Sequence, residues 1–262
     1  MSPWLILALA VGPCLFWLWF FIRRDRLEPE PRALVARLFF LGCLSVFPAA
    51  LLEMPVPSPL DGIVAAPVIE ELIKLLVVYL FIFRHVEFDE PMDGITYGVS
   101  CALGFATVEN LFYVFGAHEK AMGLAAIRAL LSVPGHALWA VLWGYGLGRM
   151  KFVRGPAAQG FLWGGVALAM ASHAAFNFTC TLANWQSAAA LLLPVLVILG
   201  WRVANRRTRD ALTRGPLRPG AMPLGAPGRH APAAPLPAPG PIPAPPHAVV
   251  PPPPPPPPHE LD

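Results

Sequence analysis

Seven apolar runs, each long enough to cross a lipid bilayer as a helix, make up most of this 262-residue chain. The hydrocarbon core of a bilayer needs about 20 helical residues to span it. Only 13% of the residues are charged, against about 25% in soluble domains. We therefore predict an all-α, polytopic membrane helix bundle with about seven transmembrane helices. The runs lie at about residues 3–22, 33–52, 63–83, 93–115, 128–149, 160–181 and 186–202.

The basic residues between the runs predict which side of the membrane each connection faces. Alternate connections carry 12 Lys or Arg residues on one side and 2 on the other, and cytoplasmic loops are the basic ones. This distribution predicts an N-terminus outside and a C-terminus in the cytoplasm. The basic side holds Arg23, Arg24, Arg26, Arg32, Arg84, Arg149, Lys151, Arg154, Arg202, Arg206, Arg207 and Arg209; the other side holds Lys120 and Arg128.

The positive charges near the N-terminus follow the first apolar run instead of preceding it, so we expect a retained first span and not a cleaved signal peptide. Residues 1–202 form the predicted transmembrane domain. Residues 203–262 contain 20 prolines and end in a run of eight, which predicts a disordered cytoplasmic tail. Such a tail could present a ligand to a proline-binding partner. The small basic excess lies in loops and tail, which suits lipid head groups and not nucleic acid.

The third run contains Glu70, Glu71 and Lys74 within an otherwise apolar segment. Each charged residue near the centre of a span costs about 2.5–3.5 kcal/mol on insertion scales. Charges of this kind usually mark a functional site, and their partners usually lie on other spans.

Polar residues in three further runs lie at the same depth as these charges. Counted along their helices at ~1.5 Å per residue, all lie ~6–12 Å below the predicted outer surface. The sequence therefore predicts one polar site shared by four helices. Its members are Glu70, Glu71 and Lys74, then Glu109 and Asn110, then His136, and then His173 with Asn177.

This set of side chains is suited to hydrolysis by an activated water molecule. Carboxylates crowded at low dielectric share protons and supply a general base near neutral pH. Imidazole and carboxamide groups can stabilise an oxyanion. Glutamate and histidine are also zinc ligands, so Glu70, Glu109, His136 and His173 could hold a divalent metal such as zinc. The His-Glu-x-x-His helix is absent, and a site without a cofactor remains open.

The motifs in these runs resemble those of the PrsW family of intramembrane proteases. They are Glu70-Glu71-x-x-Lys74, Asp93-Gly94-Ile95-x-Tyr97-Gly98, Phe105-x-x-x-Glu109-Asn110, His136 with Gly144, and His173-x-x-x-Asn177. The resemblance covers roughly residues 3–200. That family is related to the CAAX prenyl endopeptidases and to bacteriocin-processing enzymes. The CAAX relatives have a histidine where this chain has Glu109, so their water-activating pair does not transfer unchanged.

The resemblance implies a multi-pass peptidase of the cell membrane. Its substrates would be single-pass membrane proteins, cut near the extracytoplasmic face as anti-sigma factors are in site-1 cleavage. It implies that Glu70 and Glu109, or Glu71, activate water alone or through a metal. The other implied roles are oxyanion donors for His173 and Asn177, a further donor or ligand for His136, a countercharge for Lys74 and a supporting position for Asn110.

Two other functions are compatible with the residues alone. A proton-coupled transporter would also place Glu, His and Lys within its spans. The predicted site lies off the bilayer midplane, however, and no inverted repeat is visible. A membrane scaffold that presents the proline-rich tail would use the polar cluster only to join helices.

Overall fold

The chain is all-helical, as predicted, in a computed structural model that describes residues 3–25, 28–153 and 155–214. The described parts contain no strand. Of the predicted disordered tail, residues 203–262, the first ten residues are helical, and the part beyond residue 214 lies outside the described residues. The helices are α1 (Pro3–Ile22), α2 (Arg32–Glu53), α3 (Ala66–Phe81), α4 (Pro91–Gly116), α5 (Ala121–Ile127), α6 (Val133–Phe152), α7 (Ala157–Trp185) and α8 (Leu192–Leu212).

Each predicted apolar run coincides with a helix to within several residues. Five helical segments are long and apolar enough to cross a membrane, and α5 and α6 together form one of them. The apolar part of α1, Leu7–Ile22, is shorter, and α3 has only 16 residues. The count of seven spans and the orientation of the termini remain predictions.

Helix α3 has the reverse polarity of a helix on a soluble protein. Its charged residues are on the buried side, where Glu71 and Lys74 are fully enclosed. Its exposed side is a stripe of apolar residues four positions apart, beginning at Val68 and Leu72. In lipid the apolar side needs no cover, so the helix can turn its polar residues inward.

Helices α4 and α6 form the centre of the bundle, and glycines allow their backbones to approach closely. A Cβ atom added at Gly94 would lie 2.3 Å from the carbonyl oxygen of Gly144. A Cβ atom added at Gly144 would lie 2.4 Å from the carbonyl oxygen of Gly94. Small residues are the usual means by which membrane helices pack tightly. The two glycines therefore allow α4 and α6 to approach at backbone contact.

A widened π-helical turn precedes both α3 and α6. The turns are Asp61–Ala65 and Arg128–Ser132, and in each case an N–H just after the turn donates to a carbonyl five residues earlier. Each of the two helices has a proline as its second residue, Pro67 and Pro134. Proline has no N–H to donate and disturbs the preceding helical turn, which accounts for the wider geometry.

Helix α8 continues to Leu212, beyond the predicted end of the last span. Asp210 on this extension accepts a 2.7 Å hydrogen bond from the hydroxyl of Tyr145. It also forms a 3.2 Å ion pair with Arg149. These contacts join the end of α8 to α6.

Replacing Gly144 with alanine should destabilise the bundle. The added methyl group would collide with the α4 backbone, and overpacking of this kind costs about 1–3 kcal/mol. Thermal unfolding in detergent should show a lower midpoint for Gly144→Ala. Gly164→Ala is the matched control on α7, because an added Cβ there meets no atom within 4 Å. Equal midpoints for the two variants would contradict the tight α4–α6 contact.

Candidate active site

The ionisable residues that the sequence singles out form one connected cluster in the structure. They come from four helices, and each is linked to another by a hydrogen bond or an ion pair. Burial of the cluster is nearly complete, although the side chain of Glu109 remains 18% exposed. The members are Glu70, Glu71 and Lys74 on α3, Glu109 on α4, His136 on α6 and His173 on α7.

The ammonium group of Lys74 is at the centre of the cluster. Its Nζ atom lies 2.7 Å from Oε1 of Glu71, 3.3 Å from Oε2 of Glu70 and 3.3 Å from Nδ1 of His136. Three contacts match the three protons that an ammonium group can donate. The ring of Phe105 covers the ammonium, with its centroid 4.5 Å from Nζ. Lys74 is therefore neutralised and fully removed from solvent.

The carboxylate of Glu71 has donors on both oxygens. Oε1 accepts from Lys74 and lies 3.1 Å from Nδ1 of His173, while Oε2 accepts a 2.8 Å hydrogen bond from the indole N–H of Trp143. The side chain has no exposed surface. A carboxylate held in this way is suited to fixing its neighbours and has little remaining capacity to accept a proton from water.

The neighbouring Glu70 is held far less firmly. Among the described residues its ion pair is the longer, 3.3 Å contact with Lys74, and 7% of its side-chain surface is exposed. Adjacent positions on a helix point ~100° apart, which separates the environments of Glu70 and Glu71. Of the two adjacent glutamates, Glu70 is the one with acceptor capacity available for a water molecule.

Glu109 joins the cluster through His136 and Arg128. Its Oε2 lies 2.8 Å from Nε2 of His136 and 2.9 Å from Nη2 of Arg128. The guanidinium of Arg128 also stacks on Tyr113, with Cζ 4.2 Å from the ring centroid. Arg128 supplies a positive charge to the side of the cluster opposite Lys74.

The contacts determine which nitrogen of each imidazole carries the proton. An ammonium group can only donate, so Nδ1 of His136 accepts from Lys74 and the proton is on Nε2, which lies 2.8 Å from Oε2 of Glu109. A carboxylate can only accept, so Nδ1 of His173 donates to Glu71. The second nitrogen of His173, Nε2, then presents a lone pair.

The two asparagines of the predicted set make their hydrogen bonds outside the cluster. Asn110 accepts from Nε of Arg128 and donates to the carbonyl of Ala10 at 3.2 Å. Asn177 donates a 2.8 Å hydrogen bond to the carbonyl of Gly62, in the turn before α3. Asn110 thus supports the arginine that pairs with Glu109. Asn177 ties α7 to the beginning of the α3 segment.

Aromatic residues of α6 belong to the site, although the sequence reasoning passed over them. Trp143 donates to Glu71, and the ring of Trp139 stacks on His173 with centroids 3.6 Å apart and an angle of 13°. Both tryptophans share a helix face with His136, because they follow it by three and seven residues. That spacing is the feature of the sequence from which the two tryptophans could have been placed at the site.

Comparison with known proteins identifies the family. The sequence matches the family described as "PrsW family intramembrane metalloprotease" over residues 30–201. The chain belongs to the PrsW family. It is 34% identical to Protease PrsW of Geobacillus kaustophilus over 83% of this chain and 96% of that protein. It is 32% identical to Protease PrsW of Bacillus subtilis over 75% of this chain and 91% of that protein. No solved structure matches it.

Membership in the PrsW family confirms the predicted peptidase and decides against the transporter and the scaffold. With several apolar helices of spanning length, the chain is a multi-pass membrane protein, which in bacteria resides in the plasma membrane. The roles of the individual residues remain predictions.

The metal that the family description implies can be tested against the donor atoms. Glu70, Glu71 and His136 each offer one ligand atom, and these atoms lie within 4.8 Å of one another. Two carboxylates and an imidazole are a donor set that suits zinc. The Lys74 ammonium contacts the same three side chains, so a metal ion held by them would have to displace it. The donor types fit zinc. The ligand set differs from the predicted one, because Glu71 takes the place of Glu109 and His173.

Substitution of Trp143 by phenylalanine should destabilise the protein through Glu71. The variant removes the N–H that Glu71 accepts, and a buried polar atom left unpaired costs about 1–3 kcal/mol or more when charged; the smaller ring adds a packing loss. Thermal unfolding in detergent should therefore give a lower midpoint. Trp163→Phe is the control, because Trp163 is 55% exposed. An unchanged midpoint in Trp143→Phe would show that this hydrogen bond does not hold the site together.

Proposed function

We propose that this membrane peptidase cleaves single-pass membrane proteins near the extracytoplasmic face, by a water molecule that Glu70 activates. The observation that supports the proposal is the difference between the two adjacent glutamates. Glu71 is saturated by donors from Lys74, His173 and Trp143, whereas Glu70 has one long contact and partial exposure.

Peptide hydrolysis needs a base for water and then an acid for the departing amine. Glu70 accepts a proton from water while the water oxygen forms a bond to the scissile carbonyl carbon. The C–N bond then breaks as the protonated Glu70 returns that proton to the amine nitrogen. Glu71 and Lys74 hold this residue in place and balance its charge.

The other side chains position the substrate and the developing charge. His173 presents the lone pair of Nε2, which can accept from the attacking water or a substrate N–H and cannot donate to an oxyanion; its orientation is fixed by the hydrogen bond to Glu71 and by the stacked Trp139 ring. His136 connects Lys74 to Glu109, so a change of charge at one carboxylate is felt at the other. A divalent ion held by Glu70, Glu71 and His136 would displace the Lys74 ammonium, and its Lewis-acid activation of water or carbonyl would replace proton transfer to Glu70.

The side of the membrane follows from the topology prediction. With the N-terminus outside, the cluster lies in the outer half of the bilayer, within reach of a peptide bond close to the extracytoplasmic end of a substrate helix. Substrates of the anti-sigma-factor type, with one span and an external domain, have such a bond. The substrate class rests on this topology and on the family resemblance together.

An apolar cavity beside the cluster supports a helical membrane substrate. Its volume is about 190 Å³, and it lies between α6, α7 and α8. One of its walls is Trp139, whose ring stacks on His173. The lining is almost wholly apolar, as the side chains of a substrate helix require. The other lining residues include Leu138, Leu168, Phe176, Leu196 and Gly200.

Glu70→Gln tests the proposed base. It should abolish cleavage of a co-expressed single-span substrate with an extracytoplasmic domain, since glutamine cannot accept the proton. The folded protein should persist, because glutamine preserves the size of the side chain. Glu119→Gln is the control, as Glu119 is exposed and lies outside the cluster. Full activity of Glu70→Gln would overturn the assignment.

Chelator treatment of the purified wild type, followed by readdition of zinc, separates hydrolysis with a metal from hydrolysis without one.

Gly200→Leu tests the cavity as the substrate-binding site. The new side chain should fill the space beside Leu138 and slow cleavage about tenfold, which corresponds to ~1.4 kcal/mol of lost binding. The loss should appear in KM more than in kcat, because Gly200 does not touch the cluster. Gly160→Leu is the matched control, because an added Cβ there meets nothing within 4 Å. Equal kinetics for the two variants would place the substrate elsewhere.

A further inference from the structure

A second group of buried acidic residues lies at the opposite end of α4 from the active site. Asp25 follows α1, Glu30 precedes α2, and Asp93 is in the first turn of α4. Their exposed fractions are 2%, 7% and 0%. Asp93 and Glu109 are 16 residues apart on α4, which is ~24 Å along the helix. The group is therefore separate from the peptidase site, and Asp93 belongs to a motif that the catalytic cluster leaves unused.

Each carboxylate of the group has one oxygen fixed by a protein donor. The hydroxyl of Thr96 donates to Oδ2 of Asp25 at 3.1 Å. The backbone N–H groups of residues 89 and 90 donate to Oδ2 of Asp93 at 2.7 Å each. The hydroxyl of Tyr97 donates to Oε2 of Glu30. Hydrogen bonds of this kind orient carboxylates in metal sites and preset their free oxygens.

For two of these carboxylates the second oxygen has no donor among the described residues. Oδ1 of Asp25 and Oδ1 of Asp93 are buried and accept no hydrogen bond from any residue that the structure describes. Oε1 of the adjacent Glu90, a residue with 1% exposure, is in the same condition. Buried acceptors are rarely left unpaired in native proteins, and each needs a partner. A single group shared by several carboxylates would supply the missing partner for all of them.

No basic side chain fills this role within residues 3–25, 28–153 and 155–214, where neither Asp25, Glu30 nor Asp93 forms an ion pair. Lys151 is near enough for its charge to act on Asp93, but its ammonium donates to the carbonyl of Phe83 at 2.7 Å and lies over the ring of Phe88.

The distances suit a hard divalent cation. Asp25, Glu30 and Asp93 each offer an oxygen, and the three oxygens lie within 4.8 Å of one another. Oxygen ligands at 2.0–2.6 Å from one ion are at most about 5 Å apart, as in Mg²⁺ and Ca²⁺ sites. Carboxylate oxygen without imidazole or thiolate favours these ions over zinc.

We propose that Asp25, Glu30 and Asp93 form a binding site for a hard divalent cation, of the Mg²⁺ or Ca²⁺ class, that ties the α1–α2 connection to the first turn of α4. Glu90 contributes charge at the edge of the site. The ion holds three chain segments together at the end of α4, and so supports the central helix that carries Glu109 at its other end.

The test measures cation binding by the purified full-length chain in detergent, after chelator treatment and dialysis. Mn²⁺ binding followed by electron paramagnetic resonance should show a saturable site from which Mg²⁺ or Ca²⁺ displaces the probe. Either ion should also raise the thermal unfolding midpoint of the wild type. Comparison of the Mg²⁺ and Ca²⁺ titrations identifies the preferred ion.

Asp25→Asn and Glu30→Gln should each weaken Mn²⁺ binding at least about tenfold, a loss typical of changes at metal sites. They should also remove most of the cation-dependent rise in the unfolding midpoint. Glu119→Gln, an exposed acid, is the matched control and should bind Mn²⁺ as the wild type does. Glu70→Gln should retain this binding as well, which separates the site from the catalytic cluster.

The proposal fails if the wild type binds no Mn²⁺ and its unfolding midpoint ignores both ions, because protons alone would then satisfy the carboxylates. It fails equally if both Asp25→Asn and Glu30→Gln bind as the wild type does, or if Glu70→Gln alone abolishes binding. The wild-type titrations decide the matter even if one variant does not fold.

Discussion

The ammonium group of Lys74 is the interaction on which the catalytic half of the structure depends. Two adjacent carboxylates in an apolar bundle would repel each other and could not both remain charged. Lys74 contacts both, and also His136, from a position with no exposed surface. Removing one partner of such a buried network typically costs about 3–5 kcal/mol, because an uncompensated charge remains. The bundle is thus built around a neutralised centre.

This centre explains why the helices pack as they do. Glu71 reaches α6 through Trp143 and α7 through His173, so α3 must lie against both helices. The close contact of Gly94 and Gly144 holds α4 against α6 at a fixed distance. Glu109 on α4 then meets His136 on α6. The apolar stripe on the other face of α3 can be left to lipid, where a soluble protein would have to cover it.

Most of the helices and most of the site could be predicted from the sequence, for a physical reason. In a membrane an ionisable residue is so costly that its presence alone marks function, and counting along each apolar run gives its depth. The depth count predicted a single site on four helices. The structure joins all of its ionisable members, which are Glu70, Glu71, Lys74, Glu109, His136 and His173. Rotation about each helix axis could not be counted in this way. Asn177 was therefore grouped with His173, although its amide reaches Gly62 in the turn before α3.

Apolar and aromatic members of the site were harder to foresee, because tryptophan is ordinary in a membrane helix and carries no insertion cost to mark it. Trp143 and Trp139 became visible only when the structure showed a donor on Glu71 and a ring on His173. Arg128 was also missed as a member of the site, because it lies at the end of a run, where a charged residue is common. Its pairing with Glu109 depends on the π-helical turn before α6.

The choice between the two glutamates follows from the same network. A residue that activates water must give up and regain a proton without loss of the surrounding structure. Glu71 accepts from three side chains on three helices, so protonating it would loosen α3 from α6 and α7 together. Glu70 has a single contact on its own helix, and its charge can change while the other helices stay in place. Adjacent identical residues can thus divide the work, with Glu71 fixing the architecture and Glu70 free to react.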